Sequence, residues 1–379
     1  MRLLMVSGDR QVTIGEKGPF DSMQAVFSTW FERVDVICPR PPRKPTIFTI
    51  HDNVHFHPAS CGRLGMVRYI QEKGSELIGA FEHSLIVSHD YGWFYNGIGS
   101  ARLSRATGVP YLSELHHVPG HPVPADLRER FDKFVAGRYV AWAKKRTPAF
   151  RVVNSTEMPD LLRSWGVPDE QILVLPSLYI DLLTFRPPIE QAPFEQDVVF
   201  VGRFVNNKGL DRLVDALAML KRRGAPHRAL FVGKGPLQKK VRAQVEACGL
   251  GEAVRFVEWV ASPADLAEVY RRSRVAVCAS TCEGGPRVTV EAMACGTPVV
   301  STPVGVMTEL LQGGRGGRLC DFSARSLADT LQPILEDDVV RYRLGVEAAE
   351  IAQPYERKRA IEVYARGLID LAAACGGSA

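Results

Sequence analysis

Two glutamates eight residues apart, Glu283 and Glu291, flank a Gly-Gly-Pro turn in the stretch TCEGGPRVTVEAMACGTP (281–298). Ionised carboxylates only accept hydrogen bonds, so they grip hydroxyls and repel phosphates. The turn has the opposite preference. Gly284 and Gly285 leave bare backbone N–H groups, and Pro286 suits the first turn of a helix, where a missing N–H costs nothing. Those N–H groups and the positive end of the helix dipole would make an anion site.

A second stretch, VGRFVNNKGL (201–210), sets Arg203 and Lys208 five apart after Gly202. A planar fork and a mobile point charge at one strand end suit a diphosphate. Each stretch alone reads equally well as solvated surface charge. Together they ask for one ligand with hydroxyls at both ends and phosphate in the middle, which is a nucleotide sugar. The nearby FVGKGPL (231–237) lacks the third glycine of a dinucleotide fingerprint, so Gly233 and Gly235 are expected to serve packing or a close backbone approach.

Histidines supply a competing chemistry. HDNVHFHP (51–58) holds His51, His55 and His57 beside Asp52, and HHVPGH (116–121) adds three more. His55 and His57 would share one face of a strand, a spacing that suits a metal. A metal-dependent hydrolase is the reading this supports, against one in which the segment is polar lining of a cleft. Cys278 and Cys282 form an x3 pair with no second pair to complete a zinc site.

These residues need elements to hold them, and the pattern alternates strand and helix. Apolar runs such as RLLMV, VDVICP, TIFTI, SLIVS, PYLSEL and FRVVNS alternate with helical segments to about residue 178. FRPPIEQAPFEQ (185–196), rich in proline and charge, reads as a linker. The alternation then restarts, with helices expected over 209–223, 236–248, 263–272 and 286–295. Two doubly wound domains follow, 1–185 and 197–354, facing each other across a cleft. The segment from 355 to 379 is amphipathic and helical, and its closing CGGSA is expected to fray.

Bulk composition narrows the classes. The chain has 379 residues, 46% hydrophobic and 23% charged, with a net charge of +5 spread along its length. That lacks the basic stripe of a nucleic-acid binder. No apolar run approaches the ~18 residues needed to span a bilayer. MRLLMVSGDRQ turns polar after six residues and reads as a first strand, not a signal peptide. The eight cysteines read as reduced, packed thiols of a cytoplasmic protein. DLRERFDKFVAGRYVAWAKKR (126–146) is basic and aromatic at helical spacing. It is expected to pack Phe131, Phe134, Val135 and Trp142 on its own sheet, with peripheral contact to a membrane face as the other reading.

GRFVNNKG, FVGKGP and EGGPRVTVEAMACGTPVVSTPVG resemble the C-terminal domain of retaining glycosyltransferases of family 4, the glycosyl transferase group 1 type with the GT-B fold. The resemblance is strong from about 197 to 320 and looser before that. It implies a sugar transfer from a UDP-, GDP- or ADP-sugar to a saccharide, lipid-linked or small-molecule hydroxyl acceptor, with no metal and no cofactor. Arg203 and Lys208 would hold the diphosphate. Glu283 would take sugar hydroxyls with Gly284 and Gly285, Glu291 the ribose, and Glu258 to Val260 the base. The terminal helix would cross back onto the first domain.

In that family a histidine follows a strand near the donor sugar, and His116 in VPYLSELHHVPGH matches it. The resemblance assigns His116 to catalysis beside Arg203, Lys208 and Glu283, and places Asp9, Arg10 and His117 on the acceptor side. The chain departs from the family at two points. The Gly-Gly loop after the first strand is replaced by GDRQVTIGEKGPF, where Gly15 is expected to allow the close backbone approach. Ser177 and Leu178 replace an Asn-Gly pair, with Asp181 following. A non-catalytic nucleotide-sugar binding protein is the remaining alternative.

Overall fold

The computed structural model describes residues 1–190, 192–224 and 227–376. Position 191 of the expected linker and positions 377–379 at the end of the expected terminal helix lie outside these. Among the described residues two sheets form, and their strand order explains where a ligand can sit.

The first sheet comprises β1 (Arg2–Val6), β2 (Arg33–Cys38), β3 (Thr49–Ile50), β4 (Val54–Pro58) and β5 (Leu85–His89), then β6 (Tyr111–Glu114), β7 (Ala149–Val152) and β8 (Ile172–Val174). Their order is β3-β4-β2-β1-β5-β6-β7-β8. All pairs are parallel except β3 with β4. Of the TIFTI run only Thr49–Ile50 pairs, so that run is an edge hairpin and not a full strand. Chain order reverses beside β1, which opens a crevice beyond the ends of β1 and β5.

The second sheet comprises β9 (Gln196–Val201), β10 (Ala229–Val232), β11 (Val254–Val257), β12 (Ser273–Cys278), β13 (Val299–Ser301) and β14 (Gly317–Leu319). Its order is β11-β10-β9-β12-β13-β14, all parallel, with its own switch point between β9 and β12. The helices here run Leu210–Arg222, Gln238–Ala247, Pro263–Arg271 and Arg287–Ala294. Each lies within a residue or two of its expected range, because apolar spacing marks the body and Gly or Pro marks the ends.

Hydrophobic burial makes both cores. Val198, Phe200, Phe204, Leu213, Leu217 and Phe231 are buried together in the second domain. In the first, Leu3, Met5, Phe27, Val36, Val87 and Leu112 share a core with Ile361, Tyr364, Ala365 and Leu368. The last four come from the terminal helix Arg357–Gly376, which therefore completes the first domain. Phe27 and Tyr364 meet with ring centroids 5.2 Å apart.

Two expectations change here. The helix Leu127–Ala143 buries Ala136, Tyr139, Val140 and Ala143, while Phe131 is 50% and Phe134 65% exposed. Those two rings do not pack on the sheet, because the helix turns its C-terminal half inward and its first turns outward. The histidine cluster also dissolves. His57 donates toward Asp35 at 2.7 Å, His55 meets the Thr49 hydroxyl at 3.1 Å, and His51 sits in a turn with φ of 49°. Asp35 is fully buried and also takes His83 at 2.8 Å and both arms of Arg33. These partners hold its carboxyl well below the usual range, against the burial that would raise it. Among the described residues no group of three or more His, Cys, Asp or Glu side chains could hold a metal ion, so the arrangement behind the hydrolase reading is not there. No described helix is long and apolar enough to cross a membrane.

Candidate active site

Loops from both switch points meet between the domains. A cavity of about 500 Å³ is lined by Ser7, Gly8 and Asp9 after β1, His89 and Tyr91 at β5, and His116 after β6, with Gly285 and Arg287 from the second domain. A cavity of about 800 Å³ is lined by Gly202 and Arg203 after β9, Glu258 to Val260 after β11, and Arg287 and Glu291. Arg287 lines both.

The second cavity gathers the expected donor residues Gly202, Arg203, Glu258, Val260 and Glu291. Glu291 is 6% exposed and accepts from Arg287 Nε at 2.8 Å. Burial raises its pKa and Arg287 opposes this. Glu258 accepts from the Gln238 amide at 2.9 Å, and Trp259, 78% exposed, stands at the rim.

Lys208 and Glu283 line neither cavity. Lys208 Nζ pairs with Glu283 Oε1, which also accepts from the Ser280 hydroxyl at 2.8 Å. Sequence reasoning sent the two to different parts of a ligand; the fold brings them to each other, because the β9 and β12 loops are neighbours at the switch point. A Cβ on Gly284 would lie 2.2 Å from the His116 carbonyl oxygen and 3.4 Å from His117 Cβ. A glycine is required there for the domains to close this far. A Cβ on Gly285 would strike Leu178, which fills the place of the family's Asn-Gly. Gly233 has φ of 135° and would strike the Gly202 carbonyl with any Cβ, so it serves backbone packing.

The first domain presents His116 on a buried ionic base. Register pairs Glu114 in β6 with Arg151 in β7, and Arg151 Nη1 donates to Glu114 Oε1 at 2.6 Å. Arg151 is 1% exposed and also donates to the Pro176 carbonyl at 2.5 Å. Its Nη1 lies 3.2 Å from His116 Nε2. A guanidinium can only donate, so Nε2 is the lone-pair nitrogen and the ring proton sits on Nδ1. The ring keeps 42% of its surface, yet loss of water and then the Arg151 charge pull its pKa down to about 3. His116 is a neutral hydrogen-bond donor throughout the physiological range.

Four expected residues are placed differently from the rest. Gly15 closes a short turn at φ of 83° against Ile47 and lines neither cavity. Gly8 does line the first cavity and has no room for a side chain: a Cβ there would fall 1.9 Å from the Tyr91 hydroxyl. Asp9 lines the first cavity but spends one oxygen on the backbone N–H groups of Gln11 and Val12, at 3.0 and 3.1 Å. Arg10 and His117 line neither cavity, although His117 stands near the charges of Glu283, Lys208 and Arg203. Sequence reasoning missed Gly8, Glu114, Arg151 and Arg287. A charged residue inside an otherwise apolar strand, as in YLSEL and FRVV, was the signal for two of them.

This fold and site define a GT-B glycosyltransferase. The model of the family described as "Glycosyl transferases group 1" matches residues 185–351, and that of the "Glycosyl transferase 4-like domain" matches residues 30–177. The chain belongs to this family. It is 30% identical over 321 residues to the D-inositol 3-phosphate glycosyltransferase of Kineococcus radiotolerans, covering 76% of this chain and 73% of that protein. It is 33% identical over 297 residues to the protein of the same name from Jonesia denitrificans, covering 71% and 68%. Among solved structures, the sucrose-phosphate synthase of Thermosynechococcus elongatus superposes with a TM-score of 0.79 at 21% identity, covering both chains fully. HepE of Anabaena, solved with UDP and glucose, gives 0.73 at 21% identity, covering 97% of this chain and 99% of that one. These two likenesses concern the fold. Members of the family use nucleotide-sugar donors and retain anomeric configuration, and this chain is a glycosyltransferase.

Proposed function

We propose that the nucleotide part of the donor occupies the Arg203–Glu291 cavity and that the acceptor hydroxyl enters through the Asp9–His116 cavity. The observation that carries this is Arg287, whose side chain lines both spaces, so the two meet at the loop Glu283–Arg287. The sugar would lie at that junction, between Gly285 and His116.

Each group then has a chemical task. Arg203, and Lys208 once it leaves Glu283, neutralise the charge that grows on the departing diphosphate. Glu283 so released, with the Gly284 and Gly285 N–H groups, takes sugar hydroxyls, and Glu291 takes the ribose. His116 Nδ1–H donates to a sugar hydroxyl as charge shifts. The acceptor oxygen bonds to the anomeric carbon on the face from which the diphosphate leaves, and its proton passes to a donor phosphate oxygen. Retention follows without a carboxylate nucleophile.

The donor is a UDP-, GDP- or ADP-sugar, and the acceptor is a saccharide, lipid-linked or small-molecule hydroxyl. Inositol phosphate in the names of relatives supports a phosphorylated polyol among these. Eight free cysteines, several with thiols pushed up to about 12 by burial, fit a reducing cytoplasmic compartment. The test measures sugar release from UDP-, GDP- and ADP-glucose by Arg203→Ala and Lys208→Ala. Each should lose about 10²–10³ in turnover with the fold retained, Lys208→Ala at a somewhat lower melting temperature because it leaves Glu283 unpaired. Near-wild-type turnover in both would refute the assignment.

A further inference from the structure

The helix Leu127–Ala143 carries a face that the fold leaves uncovered. Leu127, Phe131 and Phe134 follow at i, i+4 and i+7, so they form one stripe, and they are 79%, 50% and 65% exposed. Trp93, from the loop after β5, is 66% exposed and meets Phe131 with the rings tilted and centroids 6.2 Å apart. It leads to Tyr91, which is 47% exposed and lines the acceptor-side cavity. An apolar strip thus runs along the first domain and ends at the mouth of that cavity.

Charge tells what could cover it. Arg128, Arg130 and Arg138 are exposed on the same helix. Its acidic residues are turned to local duties. Asp126 accepts from Glu129 N–H at 2.9 Å and from Asn206 at 3.0 Å; Glu129 accepts from Ala125 N–H at 2.7 Å. Asp132 lies 3.9 Å from Arg128. The outward face is therefore large apolar side chains edged by guanidiniums. Leu127, Phe131, Phe134 and Trp93 stand outside both cavities described above, and Tyr91 alone of the strip reaches one of the two. A flat anionic layer with an apolar interior matches that shape and charge; a single inserted peptide helix would need a groove.

We infer that the strip Leu127–Phe131–Phe134–Trp93 seats the first domain on an anionic lipid surface, so that the acceptor hydroxyl is one presented at that surface. The statement about the acceptor rests on the glycosyl-transfer reading above; the docking itself does not.

The experiment sediments the full chain with phosphatidylcholine vesicles and with phosphatidylcholine–phosphatidylglycerol vesicles. Wild type should sediment with the anionic vesicles, less so as salt rises, and stay in solution with the neutral ones. Phe131→Ser with Phe134→Ser should weaken partition about tenfold or more, and Arg128→Ala about fivefold, since each arginine near such a surface contributes on that order. A thermal shift with UDP, GDP and ADP, read on every variant, shows that the fold and the donor cavity survive. The proposal is overturned if wild type ignores anionic vesicles, or if the double Phe variant binds them unchanged. It is also overturned if the strip proves to bury itself in a dimer that the same variant dissociates. A wild type that binds vesicles but shows no shift with any nucleotide would count against the donor assignment and leave the docking standing.

Discussion

Sheet register at β6 and β7 sets Glu114 beside Arg151, and the guanidinium in turn faces His116 Nε2. Two consequences are measurable. The ring proton is fixed on Nδ1, which on the proposed mechanism makes His116 a donor and not a base. Its pKa in the fold, about 3, lies below its unfolded value of 6.5, so its stabilising contribution is present above about pH 6.5 and lost as pH falls toward 3. Between pH 6 and 9 the ring does not change charge. The pH profile of kcat should therefore carry no His116 limb in that range, and the profile of His116→Ala should have the same shape as wild type. That variant should lose about 10²–10³ in kcat, and His116→Asn, which retains an N–H donor, should recover part of the loss. A wild-type limb near pH 6.5 that vanishes in His116→Ala would show the ring titrating, and the arrangement with Arg151 would be wrong.

Two short helices join the domains through exchanged carboxylates. Glu157, starting the helix Glu157–Ser164, accepts from Gly305 N–H at 2.5 Å. Glu309, in the helix Met307–Leu310, accepts from Ser155 N–H at 2.6 Å and Thr156 N–H at 3.1 Å. Burial, then the Glu309 and Glu283 charges, raise the Glu157 pKa to about 7 from 4.5. The sign follows: its contribution is whole below about pH 4.5, falls as pH rises to about 7, and is flat beyond. Glu157→Gln keeps an acceptor for Gly305 and removes the charge. Its unfolding free energy should fall less than wild type's between pH 5 and 8, the difference being at most about 3 kcal/mol. Parallel profiles would refute the assignment. The same elements show what a sequence can display. The residues of the second-domain cavity were legible because GRFVNNKG and EGGPRVTVE each place a strand end, a turn and a helix start within ten residues. On the other side only Asp9 and His116 were named in advance, His116 through the family resemblance. Gly8, His89, Arg151 and Tyr364 line the same cavity from four distant parts of the chain, and no spacing rule connects them.

The chain crosses between its domains twice at one place, where Ile180 bridges to Glu356 and Asp181 pairs with Arg357 at 3.1 Å. Both acid and guanidinium line the second-domain cavity, so the crossing is part of the wall of the proposed donor site. After it the terminal helix delivers Tyr364 into the first domain's core, 3% exposed, with the Arg151 guanidinium 3.6 Å above its ring. The Tyr364 hydroxyl donates to Glu114 Oε1, the oxygen that Arg151 also uses. The end of the chain thereby supports the group that supports His116. Tyr364→Phe keeps the ring against Phe27 and Arg151 and removes only the hydroxyl. Leaving a buried carboxylate one donor short should cost about 1–3 kcal/mol of stability. Because Glu114 and Arg151 then hold His116 less firmly, kcat should fall about tenfold. Donor KM and the UDP thermal shift should stay as in wild type, since the donor cavity is walled by the other domain and the crossing. A loss of stability with kcat intact would show that the terminal helix only fills the core, and that its reach into the active site carries no chemistry.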